Sequence, residues 1–254
     1  MTAPLLLLGG DGASTRIVYH RLAQAFGAFP AVVEQPVARS VLIRNRLRRL
    51  GVASTLSQLA FMTLIRPLLS RAARGRLAEI ARQHRLDEAP IPADLLTSVA
   101  SVNSDETIAA IKAASPKVIV VNGTRIIARR VLEASPATFL NTHAGITPRY
   151  RGAHGGYWAL LSNDREHCGV TIHVVDPGID TGAIVAQALI DPTKQDSFVT
   201  YPYLQLAAAL PLLVDSVGKA LRGELAVRPA EGQSGVWYHP GLFQYLIGRA
   251  RGVK

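Results

Sequence analysis

Leu5-Leu-Leu-Leu-Gly-Gly-Asp-Gly-Ala-Ser14 is the stretch that decides the fold. Its four leucines form an apolar run of a strand's length, closed by the turn residues Gly9 to Gly12. Ser14 is placed to cap a following helix, whose apolar positions Ile17, Leu22 and Phe26 suit one face. Ala31-Val-Val33 reads as the next strand. A strand, turn, helix and strand in that order is the opening of a parallel sheet, so the fold class is α/β with a mostly parallel sheet.

The rhythm breaks over residues 40–86 and then resumes. Val41 to Leu50 alternates apolar residues with arginine at helical spacing, an apolar stretch from Leu56 to Leu69 is broken at Arg66-Pro67, and Arg71 to Arg85 is a further basic helix. Downstream, Ser104 caps a helix, Lys117 to Val121 is a buried-strand pattern ending at Asn122-Gly123, and Ile126 to Leu132 reads as a short helix. Thr138–Thr142, Gly169–Val175 and Ala183–Ile190 read as strands, Gly155–Leu161 as a helix, and Val199–Leu221 as a long helix kinked at Pro202 and Pro211. The division this suggests is a main domain over 1–225 containing a basic helical insertion at about 40–86, then a C-terminal extension over 226–254.

The chain has 254 residues, 48% hydrophobic and 18% charged, enough to bury a sizeable core and far from the composition of a disordered chain. One cysteine, Cys168, excludes an internal disulfide and a multi-thiolate metal site, and reads as a buried small hydrophobe. Met1 to Pro4 carries no basic run, so no cleavable leader is expected, and no stretch of 20 uncharged apolar residues predicts a spanning helix. A cytoplasmic location follows as the expectation.

The net charge is +10, and its distribution matters more than its size. Between Arg39 and Arg85 stand eleven arginines, no lysine and one acid, Glu79, so this segment carries the whole excess and the rest of the chain is neutral. Three readings stand open. The segment is a helical cap with solvated arginines, an interfacial element on the inner face of an anionic membrane, or a nucleic-acid patch, the last disfavoured because Phe61 is its lone aromatic residue. The tail from Gly241 to Lys254 repeats the mixture, with Leu242, Phe243, Leu246 and Ile247 beside Arg249, Arg251 and Lys254.

The densest polar cluster lies at predicted strand ends: Asn141-Thr-His143, the glycine-bearing loop Pro148 to Gly156 with His154, and Asp176-Pro-Gly-Ile-Asp-Thr-Gly182. Ligands of open α/β sheets bind beyond the carboxyl ends of the strands. There an amide can donate to a developing oxyanion, an imidazole can exchange protons near neutral pH, and a carboxylate can hold the imidazolium and take protons. The bland alternative is that Asn141 and Asp180 only organise turns.

Phe139-Leu-Asn-Thr-His-Ala-Gly-Ile-Thr-Pro-Arg-Tyr-Arg-Gly-Ala-His154 and Cys168-Gly-Val-Thr-Ile-His-Val-Val-Asp-Pro-Gly-Ile-Asp-Thr-Gly-Ala-Ile184 together resemble the signature of the tetrahydrofolate-dependent formyltransferases, over about residues 95–225. The family includes glycinamide ribonucleotide, methionyl-tRNA and sugar N-formyltransferases. The resemblance implies a Rossmann-like, mostly parallel sheet of the formyltransferase type and formyl transfer from N10-formyltetrahydrofolate to an amine. It implies catalytic roles for Asn141, His143 and Asp180, with Asn141 and a protonated His143 on the oxyanion and Asp180 keeping the ring charged. It also implies folate binding by the backbone at Thr124, Arg125, Ile126 and Ile127 and at Asp176 to Ile179, and no metal. The basic insertion departs from the ribonucleotide and sugar members. The tRNA-directed members carry a C-terminal domain of which only about 30 residues could be present here, and the hydrolytic relatives carry an N-terminal one. By elimination the expected acceptor is a small amine, an amino sugar or its nucleotide, with glycinamide ribonucleotide as alternative; the oligomeric state stays open.

Weaker signals complete the list. Gly10 and Gly12 could bring backbone N–H groups to an acceptor phosphate at a helix start. Glu34, about 20 residues on, stands where a dinucleotide-binding acid would, which keeps a nicotinamide-dependent oxidoreductase as the rival. His154 could face the cleft or serve a turn, and His173 alternates with core positions and reads as a packed strand residue.

Overall fold

A computed structural model describes residues 4–254; Met1 to Ala3, the start of the segment read for a leader, lie outside them. A seven-stranded sheet organises the chain. It comprises β1 (Leu5–Gly10), β2 (Ala31–Glu34), β3 (Leu96–Val99), β4 (Val118–Asn122), β5 (Thr138–His143), β7 (Gly169–Val174) and β8 (Ile184–Leu189), in the order β3-β2-β1-β4-β5-β7-β8. The first five pair in parallel, while β7 runs antiparallel to both β5 and β8. A second, two-stranded ladder joins β6 (Arg151–Gly152) to β9 (Val236–Trp237).

Alternation along the central strands supplies both faces. Leu5 and Leu7 of β1, with Val118 and Val120 of β4, pack on α1 (Ala13–Phe26) and α8 (Tyr201–Leu221) through Ile17, Leu22, Leu210 and Leu213. Leu6, Leu8, Ile119 and Val121 point the other way, toward α5 (Asp105–Ala114) and α6 (Arg129–Leu132) through Ile111 and Val131. A run of unbroken apolar residues is the expected composition of parallel strands buried on both faces. A third, aromatic cluster of Phe61, Tyr157, Trp158, Phe198 and Tyr245 fastens the insertion and α9 (Leu242–Ala250) to α7 (Gly155–Leu161).

Several local expectations are corrected. Gly12, not Ser14, is the N-cap of α1; Ser14 is already helical, and its hydroxyl accepts from Asn122 Nδ2 at 3.0 Å. The helix expected from Ile126 begins only at Arg129, because the Asn103 side chain donates to the Ile126 carbonyl and accepts from the Ala128 N–H at 2.7 Å, holding 126–128 out of a helical turn. Pro202 lies in the first turn of α8, where its missing N–H has no intrahelical partner to lose, and the helix runs on through Pro211. The insertion forms α2 (Arg39–Ala60), a π-helical turn (Phe61–Ile65), α3 (Arg66–Ala72) and α4 (Arg74–Gln83). The π-turn sits where Pro67 withdraws an N–H from the helical ladder. Although a count of uncharged residues predicts no spanning helix, the run Arg39–Ala72 and α8 are long and apolar enough by length and composition; α8 packs in the core, and the former is mostly exposed.

Besides the aromatic cluster, a buried carboxylate ties the insertion to the domain. Asp196, 1% exposed, accepts Arg76 Nε at 2.9 Å and Nη2 at 3.2 Å, the Thr193 N–H at 2.9 Å, and the hydroxyls of Thr193 and Thr200. Burial alone would raise its pKa, but Arg76 and Thr193 hold it below 3.8. Its contribution is therefore complete above pH 3.8 and is lost as pH falls from there through the lower folded value. Asp196→Ala is expected to lower stability by about 3 kcal/mol, since a buried guanidinium face loses its partner. Urea unfolding at pH 7 measures this, and an unshifted midpoint would show that the tether does not support the fold.

Candidate active site

Register builds the site. Asn141 and His143, two residues apart on β5, project from one face, and the antiparallel pairing sets His173 directly opposite Asn141. Asp180 reaches the same place from the loop between β7 and β8 in a left-handed conformation, φ +50, uncommon for a residue with a side chain. These four line a cleft of about 420 Å³ at the carboxyl ends of β4 and β5. The cleft also takes in Gly123 to Ile127, Asp176, Ile179 and, from α8, Gln205.

Asp180 is the hub. Its Oδ2 accepts the Gly152 N–H at 2.9 Å and lies 3.3 Å from His143 Nδ1; its Oδ1 lies 3.4 Å from Asn141 Nδ2 and 3.5 Å from His173 Nε2. Burial works to raise its pKa, yet the neighbouring His173 and His143 rings and the Gly152 N–H hold it below the carboxylate range. Gly152 can present its N–H only because it lacks a side chain: its φ is +92, and a Cβ would collide with the Trp237 carbonyl across the β6–β9 ladder.

The imidazoles have assignable tautomers. His143 faces an acceptor on each side, the Tyr150 carbonyl 2.7 Å from Nε2 and the Asp180 carboxylate 3.3 Å from Nδ1; a neutral ring keeps its one proton on Nε2, at the shorter contact. His173 Nδ1 lies 2.9 Å from the Val174 carbonyl, so its Nε2 is left to accept Asn141 Nδ2 at 3.0 Å. Burial is the largest influence on His143 and pushes its pKa below 6.5, against the pull of Asp180 and Tyr150. Burial thus opposes the expected protonation of the ring by Asp180, and in the neutral form Nδ1 carries the lone pair.

Glu34 is not poised for a ribose. Its buried carboxylate accepts the Val102 N–H at 3.1 Å and the Arg125 N–H at 2.7 Å, and pairs with Arg125 Nε at 2.6 Å. It shapes the 124–127 segment, where Thr124 closes on the Arg125 carbonyl and Ile126 is half exposed over the cleft. On the opposite wall, the Asp176 carboxylate folds its own loop by accepting Gly178 N–H and the Thr181 hydroxyl, and the Ile179 carbonyl accepts Arg151. Thr142 Oγ1 is buried without a partner and its residue lines the cleft, which suits a ligand that donates there.

The structure does not bring Gly10, Gly12 or His154 into the cleft lining; of residues 9–14, Ser14 in the first turn of α1 alone contributes. Gly10 is needed for packing, because a Cβ there would meet the Gly123 carbonyl. His154 Nε2 pairs with His239 Nδ1 at 2.9 Å in the aromatic cluster, and burial pushes its pKa down to about 3. Cys168 is buried, its thiol pushed up to about 11. Asp164, Glu166 and His167 gather closely enough to bracket an ion, but Asp164 already serves Tyr150, Arg149 and His167. Sequence reading missed His173 and Gln205; the signal for His173 was the β5–β7 register, which sets it opposite Asn141.

The pattern of the family described as formyl transferase matches residues 70–204, more than half of the chain. A methionyl-tRNA formyltransferase of Thermodesulfovibrio yellowstonii is 30% identical over 142 residues, 56% of this chain and 45% of that protein. The chain thus spans about half the length of this curated relative. Among solved structures, a sugar N-formyltransferase from a Shewanella species superposes with a TM-score of 0.59 at 14% identity, over 98% of this chain and 87% of the other. Glycinamide ribonucleotide transformylase 1 from Symbiobacterium toebii gives 0.56 at 17%, over 89% and 94%. At such identities these likenesses establish the fold.

Asp180→Asn is expected to lower the His143 pKa further, because the carboxylate is the strongest influence raising it. Imidazole titration by NMR in both proteins measures this; a rise in the variant would reverse the assigned electrostatics.

Proposed function

Because the chain belongs to the formyl transferase family, we propose that it moves a formyl group from N10-formyltetrahydrofolate to the primary amine of a small acceptor, an amino sugar or its nucleotide. The observation that carries this reading is a partly buried carboxylate, Asp180, 3.3 Å from the histidine nitrogen that a neutral ring leaves bare, the other nitrogen donating to Tyr150. When bound, the folate supplies an electrophilic formyl carbon on a nitrogen leaving group.

The chain's own residues do the rest. The backbone at Arg125 to Ile127 and at Asp176 to Ile179 frames the cleft and offers main-chain groups to a pterin edge. Asn141 turns an amide N–H onto the formyl oxygen as charge develops there. Its 3.4 Å contact to Asp180 is the looser of its two, so that hydrogen is the one released, while His173 at 3.0 Å holds the amide plane. Such a donor contributes about 3 kcal/mol to the transition state. His143 Nδ1 and Asp180 take the proton the attacking amine sheds, which turns their contact into a charge-assisted bond, and return it to the departing nitrogen. One carbon–nitrogen bond forms, one breaks, and the proton count is unchanged.

The small-acceptor reading draws support from a fold shared, over most of the chain, with both a sugar N-formyltransferase and a glycinamide ribonucleotide transformylase. A transfer assay with amino-sugar nucleotides, glycinamide ribonucleotide and methionyl-tRNA as acceptors decides among them. Formylation of one of the other two in place of every sugar would replace the acceptor. Binding of a nicotinamide nucleotide without any folate analogue would overturn the reaction class.

His143→Ala and Asp180→Asn are each expected to lower kcat by roughly 100- to 1000-fold with folate affinity within a few-fold. The acid limb of the wild-type kcat profile should fall below pH 6.5, because protonation of a ring with depressed pKa fills the base. Near-normal turnover in either variant would remove that residue from the reaction.

A further inference from the structure

The insertion and α9 share a surface that the chain leaves uncovered. In the first half of α2, from Arg39 to Leu50, no residue is buried, although Val41, Leu42 and Leu47 lie among five arginines. At Gly51, φ +76, the helix changes course. Beyond it, Thr55, Gln58 and Phe61 turn inward, and Gln58 Nε2 donates to the His239 carbonyl at 2.6 Å. Val52, Leu56, Leu64 and Leu68 point out, each about 60% exposed. α9 packs against α2 and the π-turn. It buries Tyr245 and leaves Phe243 71%, Leu246 51% and Ile247 50% exposed.

The same surface holds the excess charge. Among the described residues, Arg76 is the one arginine of the 39–85 segment with an ion-pair partner. Arg249, Arg251 and Lys254 extend the positive field from α9 and the residues after it.

We propose that this face, Arg39–Ala72 together with α9, seats the protein peripherally on an anionic membrane surface. A surface that is both strongly cationic and apolar constrains its occupant. A second copy would bring the same unpaired arginines against these. A nucleic acid would answer the arginines but leave Val52, Leu56, Leu64 and Leu68 in water, and Phe243 is the one exposed aromatic ring the face offers a base. Anionic lipid answers both, with phosphates for the guanidinium groups and the acyl boundary for Val52, Leu56, Leu64, Leu68 and Phe243. The element lies on the bilayer rather than across it. Only sixteen residues separate Arg49 from Arg66. At 1.5 Å each they span about 24 Å, short of the roughly 30 Å hydrocarbon core. Their inner face is also packed on the domain through Gln58 and Phe61.

The test is sedimentation of the full chain with vesicles of equal phosphatidylglycerol and phosphatidylcholine, or of phosphatidylcholine alone. The wild type is expected to pellet with the first and stay in solution with the second, with binding weakened in 0.5 M salt as screening shortens. Each arginine near such a surface raises partitioning by roughly fivefold. Joint replacement of Arg44, Arg48, Arg49 and Arg71 by glutamine should therefore weaken binding at least tenfold, as should Leu56→Ser, Leu64→Ser and Leu68→Ser together, which leave the charge intact. None of these seven lines the cleft, so binding of a folate analogue reports that each variant is folded. The comparison of the two vesicle types stands on the wild type alone. A wild type that fails to pellet with the anionic vesicles at low salt overturns the proposal. So does tighter binding to duplex RNA than to those vesicles, or a stable dimer in sedimentation equilibrium that the leucine variants dissolve.

Discussion

A carboxylate can be kept ionised away from water only if donors surround it, and the arrangement around Asp180 follows from that requirement. Gly152 supplies a main-chain N–H, Asn141 an amide, and two imidazoles stand within 3.5 Å. The two donors come from β6 and β5 and the imidazoles from β5 and β7, so one carboxylate gathers three elements. The β6–β9 ladder brings Gly152 close, the β5–β7 register sets Asn141 against His173, and the β7–β8 loop bends into a left-handed residue to deliver Asp180. Removing the charge would leave each of these without its reason for being where it is.

Glu34 repeats the device on the other wall. One oxygen takes the Arg125 N–H, the other the Val102 N–H and the guanidinium of Arg125. The cleft is thus bordered by two carboxylates of different duty, Glu34 buried and Asp180 partly so. Asp180 has an incompletely satisfied neighbour in His143 Nδ1 and can change its bonding when a proton arrives. Glu34 is saturated and can only hold shape. That contrast separates the carboxylate proposed to accept a proton from the one that holds shape.

The fold was legible because the central strands are apolar enough to admit one interpretation. Leu5 to Leu8 and Val118 to Val121 have nowhere to go but a sheet covered on both faces. Asn141, His143 and Asp180 were legible as chemistry at strand ends, and the cleft unites them. What escaped the sequence depended on pairings between distant residues. His173 looked like an alternating strand residue until the antiparallel register placed it against Asn141. Glu34 sat at a suggestive spacing but is claimed by Arg125, 91 residues away. His154 occupies a glycine-rich loop next to the site and still turns its ring toward His239, because the aromatic cluster offers it a partner and a dry environment. The resting protonation of His143 depends on how deeply the ring is buried, which no local pattern reveals.

The insertion shows how one segment can obey two sets of rules. Its inner face follows ordinary core logic, with Phe61 against Phe198 and Tyr245, and Arg76 clasping Asp196. Its outer face breaks that logic, because leucines and unpaired arginines alternate where solvent would favour mixed charge and few large apolar groups. Folding alone cannot account for the outer face: none of its side chains contributes to the core, and like charges at helical spacing weaken the helix that carries them. The membrane seating proposed above would relieve that cost, since an anionic, apolar boundary answers both the guanidinium groups and the leucines.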